Sequence, residues 1–168
     1  TATPASGKLY RARQNGSMQT TRTMIEVDAE ATCAYLPQDT IIFGGANGDL
    51  ETQILVDASA TYFGWEHTVF GRPASSLPFS TGHLSQRLSV YRDRRLLYRD
   101  HLRIDPETLA SASGLDGMIS LASGLLVLRQ ESEETDAVVT SCRQIVEDFS
   151  GKSGVTAIRD GLISIRLL

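Results

Sequence analysis

From Thr21 to Ile104 the chain repeatedly alternates side chains with a period of two. Thr21, Thr23, Ile25 and Val27 stand against Arg22, Met24 and Glu26, the pattern of a half-buried strand. Leu50, Thr52, Ile54 and Val56 alternate in the same way with Glu51, Gln53 and Asp57. Between them, Ile41, Ile42 and Phe43 form a short apolar run before GGANGD, where Gly44, Gly45, Asn47 and Gly48 predict a turn. In Ala60 to Pro73 both alternate sets are largely apolar: Phe63, Trp65, His67, Val69 and Tyr62, Gly64, Glu66, Thr68, Phe70. A strand of that kind is expected to be covered on both faces. Ser89 to Arg92 and Leu96 to Ile104 read as a hairpin around Asp93-Arg94, with Leu96, Tyr98, Leu102 and Ile104 on one face. Arg94 fits a two-residue turn poorly, because such turns need positive φ, so a longer loop is the alternative.

Two segments switch to helical signals. Asp105-Pro106-Glu107 supplies an N-cap and a first-turn proline, with Gly114 as the expected stop. Val138, Cys142, Ile145 and Phe149 recur at helical spacing beside Val139 and Val146, and Gly151 and Gly154 follow. The tail returns to β, with Val155 to Ile158 and Leu162 to Leu167 flanking Asp160-Gly161, a good hairpin turn. No repeat or linker breaks the chain. The expectation is a mainly β fold with one or two α-helices in one domain over residues 1–168.

Composition narrows the function classes. With 168 residues, 41% hydrophobic and 21% charged, the chain is globular in character rather than disordered. A net charge of -4 offers no bulk attraction to nucleic acid or anionic membranes. No apolar run approaches the roughly 18 residues of a spanning helix. The opening TATPASGKLYR has neither an initiator Met nor a signal pattern, so the chain is expected to begin inside a longer protein. Cys33 and Cys142 stand far apart without a CxxC, as expected for reduced thiols in a cytoplasmic protein.

The usual catalytic motifs are missing: no GxSxG, HExxH, GxxxxGK[ST] or GxGxxG occurs. GGANGD has no following helix to make a phosphate cradle. His67, His83 and His101 with Ser75 or Ser76 are ingredients any chain of this size holds, so no enzyme is indicated. Arg87, Arg92, Arg94, Arg95, Arg99 and Arg103 with Tyr91 and Tyr98 form the densest basic stretch. A solvated or protein-docking hairpin face is favoured there over a single-stranded nucleic-acid site, because Asp93 and Asp100 interrupt it. Glu66 falls within a largely apolar strand, where a carboxylate needs a partner: an Arg, hydrogen bonds, a proton or a metal ion. Asp39, just before its own apolar run, poses the same question. Glu66 and its neighbour His67 are expected on opposite strand faces, so they could chelate one ion together only at a bulge, and no tight preformed metal cage is indicated.

At these residues the sequence resembles the urease accessory proteins of the UreD (UreH) type. The match is carried by TATPASGKLYR, CAYLPQDTIIFGGA, FGWEHTVFGRPA and GHLSQRLSVYRDRRLLYRDHLRI, with VTAIRDGLISIRLL similar to a later β segment. Pro37, Gln38, Trp65, Gly71, Arg72 and Pro73 are the motif positions expected to be structural. Asp39 stands where Glu is commoner, and Arg94 where Gly is frequent. The resemblance implies a fragment lacking the N-terminal and C-terminal family segments, folded as a helix-like stack of β-strands. It further implies a non-enzymatic scaffold that binds apo-urease and a UreF-type partner, which recruits a UreG-type GTPase. Such an assembly delivers Ni²⁺ to urease, with nickel passing through an internal tunnel and no cofactor held tightly. Asp39 and Glu66 match acidic family positions and are the tunnel candidates, with His67 and Cys33 behind them. The alternative is a β-rich interaction domain of another assembly, without a metal role.

Overall fold

The computed structural model describes the backbone of residues 2–3 and all of residues 7–129 and 134–168; the remainder of the opening TATPASGKLYR segment lies outside the described residues. The chain winds as a flattened coil between two sheets. β3 (Gln19–Val27) lies in one sheet, β4 (Thr32–Tyr35) and β5 (Thr40–Ile42) in the other, β6 (Asn47–Val56) back in the first, β7 (Thr61–Phe70) in the second, and β8 (His83–Arg92) in the first. Successive turns lie parallel: β3 on β6, β6 on β8, and both β4 and β5 on β7. Two short N-terminal strands, β1 (Ala2–Thr3) and β2 (Lys8–Tyr10), continue this parallel stacking on β4 and β5. The helix-like stack of strands expected from the resemblance is therefore the observed arrangement, in a mainly β chain.

Antiparallel strands finish both sheets. β9 (Arg95–Ile104) pairs with β8 and ends the four-stranded sheet, while β10 (Ser120–Val127), β12 (Leu162–Leu167) and β11 (Ser153–Arg159) extend the other beyond β7. β10 carries no period-two signal in the sequence. Its Ser-Leu-Ala-Ser-Gly-Leu-Leu-Val run lacks alternation because leucines from both sides are covered, one side by the sandwich and the other by a helix.

The β8–β9 turn contains only Asp93 and Arg94, at φ 48° and 64°. The tight left-handed turn forms although neither residue is glycine, and no longer loop is needed. β8 begins at His83, earlier than the alternation from Ser89 predicts, and GGANGD turns only at its first glycines, since Asn47 and Gly48 already belong to β6. A bulge between Val90 and Tyr91 takes Leu96 off the inner face. It is exposed, whereas Tyr98 and Leu102 pack inward and Ile104 is fully buried.

The first helix, α1 (Pro106–Ala110), stops before Gly114; its Asp105 cap accepts from the Thr108 amide at 2.8 Å. The second, α2 (Thr135–Val146), ends at Val146 rather than reaching the glycines. Val138, Val139, Cys142 and Val146 pack on Leu126, Ile163 and Ile165, but Ile145 is 79% exposed. The stripe that packs drifts toward Val139 and Val146, which leaves Ile145 and Phe149 outside.

Candidate functional site

Strand β7 crosses the middle of the larger sheet and presents Tyr62, Gly64, Glu66, Thr68 and Phe70 to the other sheet. Its inward face is apolar at both ends and polar in the middle, and the core divides accordingly. One apolar cluster gathers Tyr10, Ile42, Leu50, Phe70, Leu84 and Ile104; the other gathers Val27, Ile54, Tyr62, Val90, Leu125 and Leu162. Between them lies a polar layer centred on Glu66. The Thr52 hydroxyl donates to Glu66 Oε1 at 3.1 Å, and the Gln86 amide donates to Oε2 at 2.6 Å. The half-buried carboxylate is thus held by two neutral donors from the opposite sheet, without an ion pair among the described residues.

Beside Glu66 a small cavity of about 30 Å³ runs past Gly64, Ser123 and Ser164 toward Tyr98, Asp100 and Arg166. That is room for about two waters. Asp100 on β9 and Arg166 on β12 are hydrogen-bonded across the sheets where the cavity nears the surface. Tyr98 lies beside Ser164 and Arg166, and burial raises its hydroxyl pKa, as the nearby Asp100 charge also does. Burial first, and the charge of Glu66 in addition, raise Tyr10, Tyr35 and Tyr62 as well. Tyr62 lies folded along β7, so that a Cβ on Gly64 would sit 1.9 Å from its hydroxyl oxygen. Gly64 is the vacancy that lets this ring lie flat beside the carboxylate.

The coil interrupts itself alongside Glu66. β4 and β5 pair with the two ends of β7, and Leu36 to Asp39 bridge them opposite Trp65 to His67. This excursion carries Pro37, which has no amide hydrogen to give a strand partner. Pro37 is half-buried, Gln38 exposed. Asp39 is not interior, contrary to the expectation from its place before an apolar run: its side chain is 60% exposed and its Oδ1 lies 3.0 Å from His67 Nδ1. The excursion, which leaves the strand, is what takes it to the surface. His67 stands on the outer face of β7, opposite Glu66 as its spacing requires. Cys33 faces inward and packs in the second apolar cluster, but it is level with Tyr62, roughly 13 Å of strand from Glu66.

The structural motif positions have local explanations. Trp65 lies on the outer face over Gly124, where a Cβ would stand 3.5 Å from the indole. Its outer-face neighbours Phe63 and Val69 are only half-covered, less than the two-sided burial expected. Gly71 has φ 81° and donates its amide to the Ile42 carbonyl at 2.7 Å; a Cβ there would meet the Leu77 carbonyl oxygen at 2.7 Å. Arg72 stacks over Phe43 at 4.7 Å, and Pro73 opens a single 3-10 turn, Pro73–Ser75. GRP therefore ends β7 and turns the chain toward β8.

Thr52 was visible in the sequence as an inward position, but its partnership with Glu66 was not. Gln86, Ser123 and Ser164 were missed: Gln86 and Ser123 because their strands, or the relevant parts of them, were unread, and Ser164 because alternation alone does not show which strands face each other.

Taken together, a parallel β-coil, a split core and an interior polar layer define a β-scaffold with a carboxylate set between its sheets. The sequence profile of the UreD urease accessory proteins matches residues 1–168, and the chain belongs to that family. It is 32% identical over 168 residues to the urease accessory protein UreD of Saccharophagus degradans, covering 99% of this chain and 57% of that protein. With UreD of Psychromonas ingrahamii it shares 32% identity over 183 residues, covering 99% and 59%, and with UreD of Pseudomonas paraeruginosa 36% over 167 residues, covering 98% and 56%. The chain thus spans little more than half the length of these relatives. None of its described helices is long and apolar enough to cross a membrane.

Proposed function

We propose that the protein is a non-enzymatic cytoplasmic scaffold for nickel insertion into apo-urease, acting with a UreF-type partner and, through it, a UreG-type GTPase. The profile match over the whole chain carries this reading. Nickel is cargo here, and the polar layer is its path. Glu66 is the interior station, with the Thr52, Ser123 and Ser164 oxygens near it. Asp39 and His67 form a station on the outer side of the same strand, and Cys33 is an outlying soft donor. One carboxylate among neutral oxygens suits transit, since it lacks the imidazole and thiolate set that would retain Ni²⁺. A cavity for about two waters admits an ion only after it sheds part of its hydration shell or the sheets part.

The first test is deletion of the parent gene, reading urease level, activity and nickel per active site. Normal enzyme level with low nickel, restored by the gene, is expected; full occupancy in a strain with no second copy would refute the role. Glu66→Gln then separates path from fold. Its carboxamide can accept from Gln86 and donate to Thr52, so stability should hold within about 0.5 kcal/mol. Complex assembly should persist while nickel occupancy falls. Wild-type occupancy would remove Glu66 from the path and leave the accessory role standing.

A further inference from the structure

The outer face of the four-stranded sheet changes sign from centre to edge. On β6, Asp49 and Glu51 are taken up by Arg87, and Glu51 also by Arg22. On β9 the outward positions Arg99, His101 and Arg103 are all exposed and face no carboxylate. Among the described residues neither arginine is ion-paired: Arg99 donates to the Ser89 hydroxyl at 3.4 Å, and Arg103 to His101 Nε2 at 3.2 Å. Six of the chain's 16 basic residues fall between Arg87 and Arg103, although the protein as a whole is acidic. β9 is also the end of its sheet, so its outer row of backbone donors and acceptors has no strand partner among the described residues.

Below this edge lies a groove of about 620 Å³ of mixed character, with Leu102 and Leu168 over the buried Ile104, Leu115 and Leu121, and with Thr108, Ser113 and Arg166 beside them and His101 and Arg103 at its rim. A strand laid beside β9 would turn alternate side chains to opposite faces, with about 7 Å between neighbours on one face. One set would run past Arg99, His101 and Arg103; the other would fall into the groove, against Leu102 and Leu168.

We propose that β9 is a docking edge for an extended segment of a partner protein that alternates acidic and apolar residues, added as a further strand to the sheet. Strand addition supplies affinity through the backbone, and the arginine row and the leucines of the groove select the sequence. A single-stranded nucleic acid fits less well. Tyr98, which would have to stack on a base, points inward against the second apolar cluster, beside Ser164 and Arg166, and a polynucleotide makes no use of a free strand edge.

The test is fluorescence anisotropy of the intact protein with a labelled peptide of alternating Glu and Val. A Lys–Val peptide, a Glu–Val peptide of scrambled order and an oligodeoxythymidylate serve as comparators. The alternating acidic peptide should bind best, its affinity should fall at least tenfold in Arg99→Glu/Arg103→Glu, and amide exchange along β9 should slow in the wild-type complex. Equal binding of the scrambled peptide, unchanged affinity in the double variant, or exchange at β9 unaffected by peptide would each overturn the proposal. So would binding of the oligonucleotide in place of the peptide. The exchange measurement decides the matter even if the double variant does not fold.

Discussion

Arg94 follows Asp93 into the left-handed region, where a side chain costs about 1 kcal/mol that glycine avoids. Arg94→Gly should therefore raise the urea midpoint by the equivalent of up to about 1 kcal/mol, with an unchanged denaturant slope. A lower midpoint would mean that the guanidinium holds the turn. Gly64 gives the opposite case. Tyr62 is 2% exposed and fills the space over Gly64, so Gly64→Ala must displace a buried ring. A loss of about 1–3 kcal/mol is expected in the same assay; no loss would show that the ring has room to swing. Glu66 was legible as a carboxylate needing a partner, because its strand is apolar on both sides. Its partners were not legible. Thr52 and Gln86 are 14 and 20 positions away, and only the pairing of sheets brings them together. Asp39 has the partner expected of it, His67, but lies at the surface, because an acid beside Thr-Ile-Ile has the same local sequence whether the chain enters the strand from inside or from the surface.

Most strands were readable as elements because one face is buried and the other is wet, which writes a period of two into the chain. Where both faces are covered, as on β10, that period vanishes. Helix α2 shows how a correct element can carry a wrong face. Ile163→Ala, beneath the helix at a fully buried position, should cost about 2–5 kcal/mol. Ile145→Ser on the outside should stay within about 0.5 kcal/mol. A large loss at Ile145 would restore the face read from the sequence. Helix α1 has a pH signature of its own. Hydrogen bonds from Thr108, backbone first, hold the Asp105 carboxyl below its ordinary pKa, with a smaller contribution from His83. A depressed carboxylate stabilises above its unfolded pKa and loses that contribution as pH falls through the folded one. Amide exchange at Thr108 should therefore accelerate in acid relative to its intrinsic rate, and Asp105→Asn should abolish that pH dependence. A wild-type amide whose protection is constant through the carboxylate range would count against the cap.

Across the whole molecule the same linkage acts at the other end of the scale. Tyr10, Tyr35, Tyr62 and Tyr98 all have hydroxyl pKa values raised by burial above the ordinary value of 10.0. A raised folded pKa favours the fold below the unfolded pKa and is lost as pH rises toward the folded value. The tyrosines' contribution to stability should thus be constant through neutrality and decline above about pH 10. The absorbance of four of the five tyrosines should rise in step with loss of the fold, Tyr91 being the one outside this set; more than one tyrosinate per molecule in an intact fold would contradict this burial. The coil itself was not derivable from alternation, which gives strands without their order, and it entered the sequence reading through the family resemblance. The split core has one more consequence. Two purely greasy sheets can slip past one another by a residue pair at modest cost, because leucine meets leucine in either setting. Here such a slide would take Glu66 away from Thr52 and Gln86 and press it against Ile54 or Leu88. The layer acts as a key in a lock, fixing the lateral alignment of two surfaces that grease alone would leave free to choose.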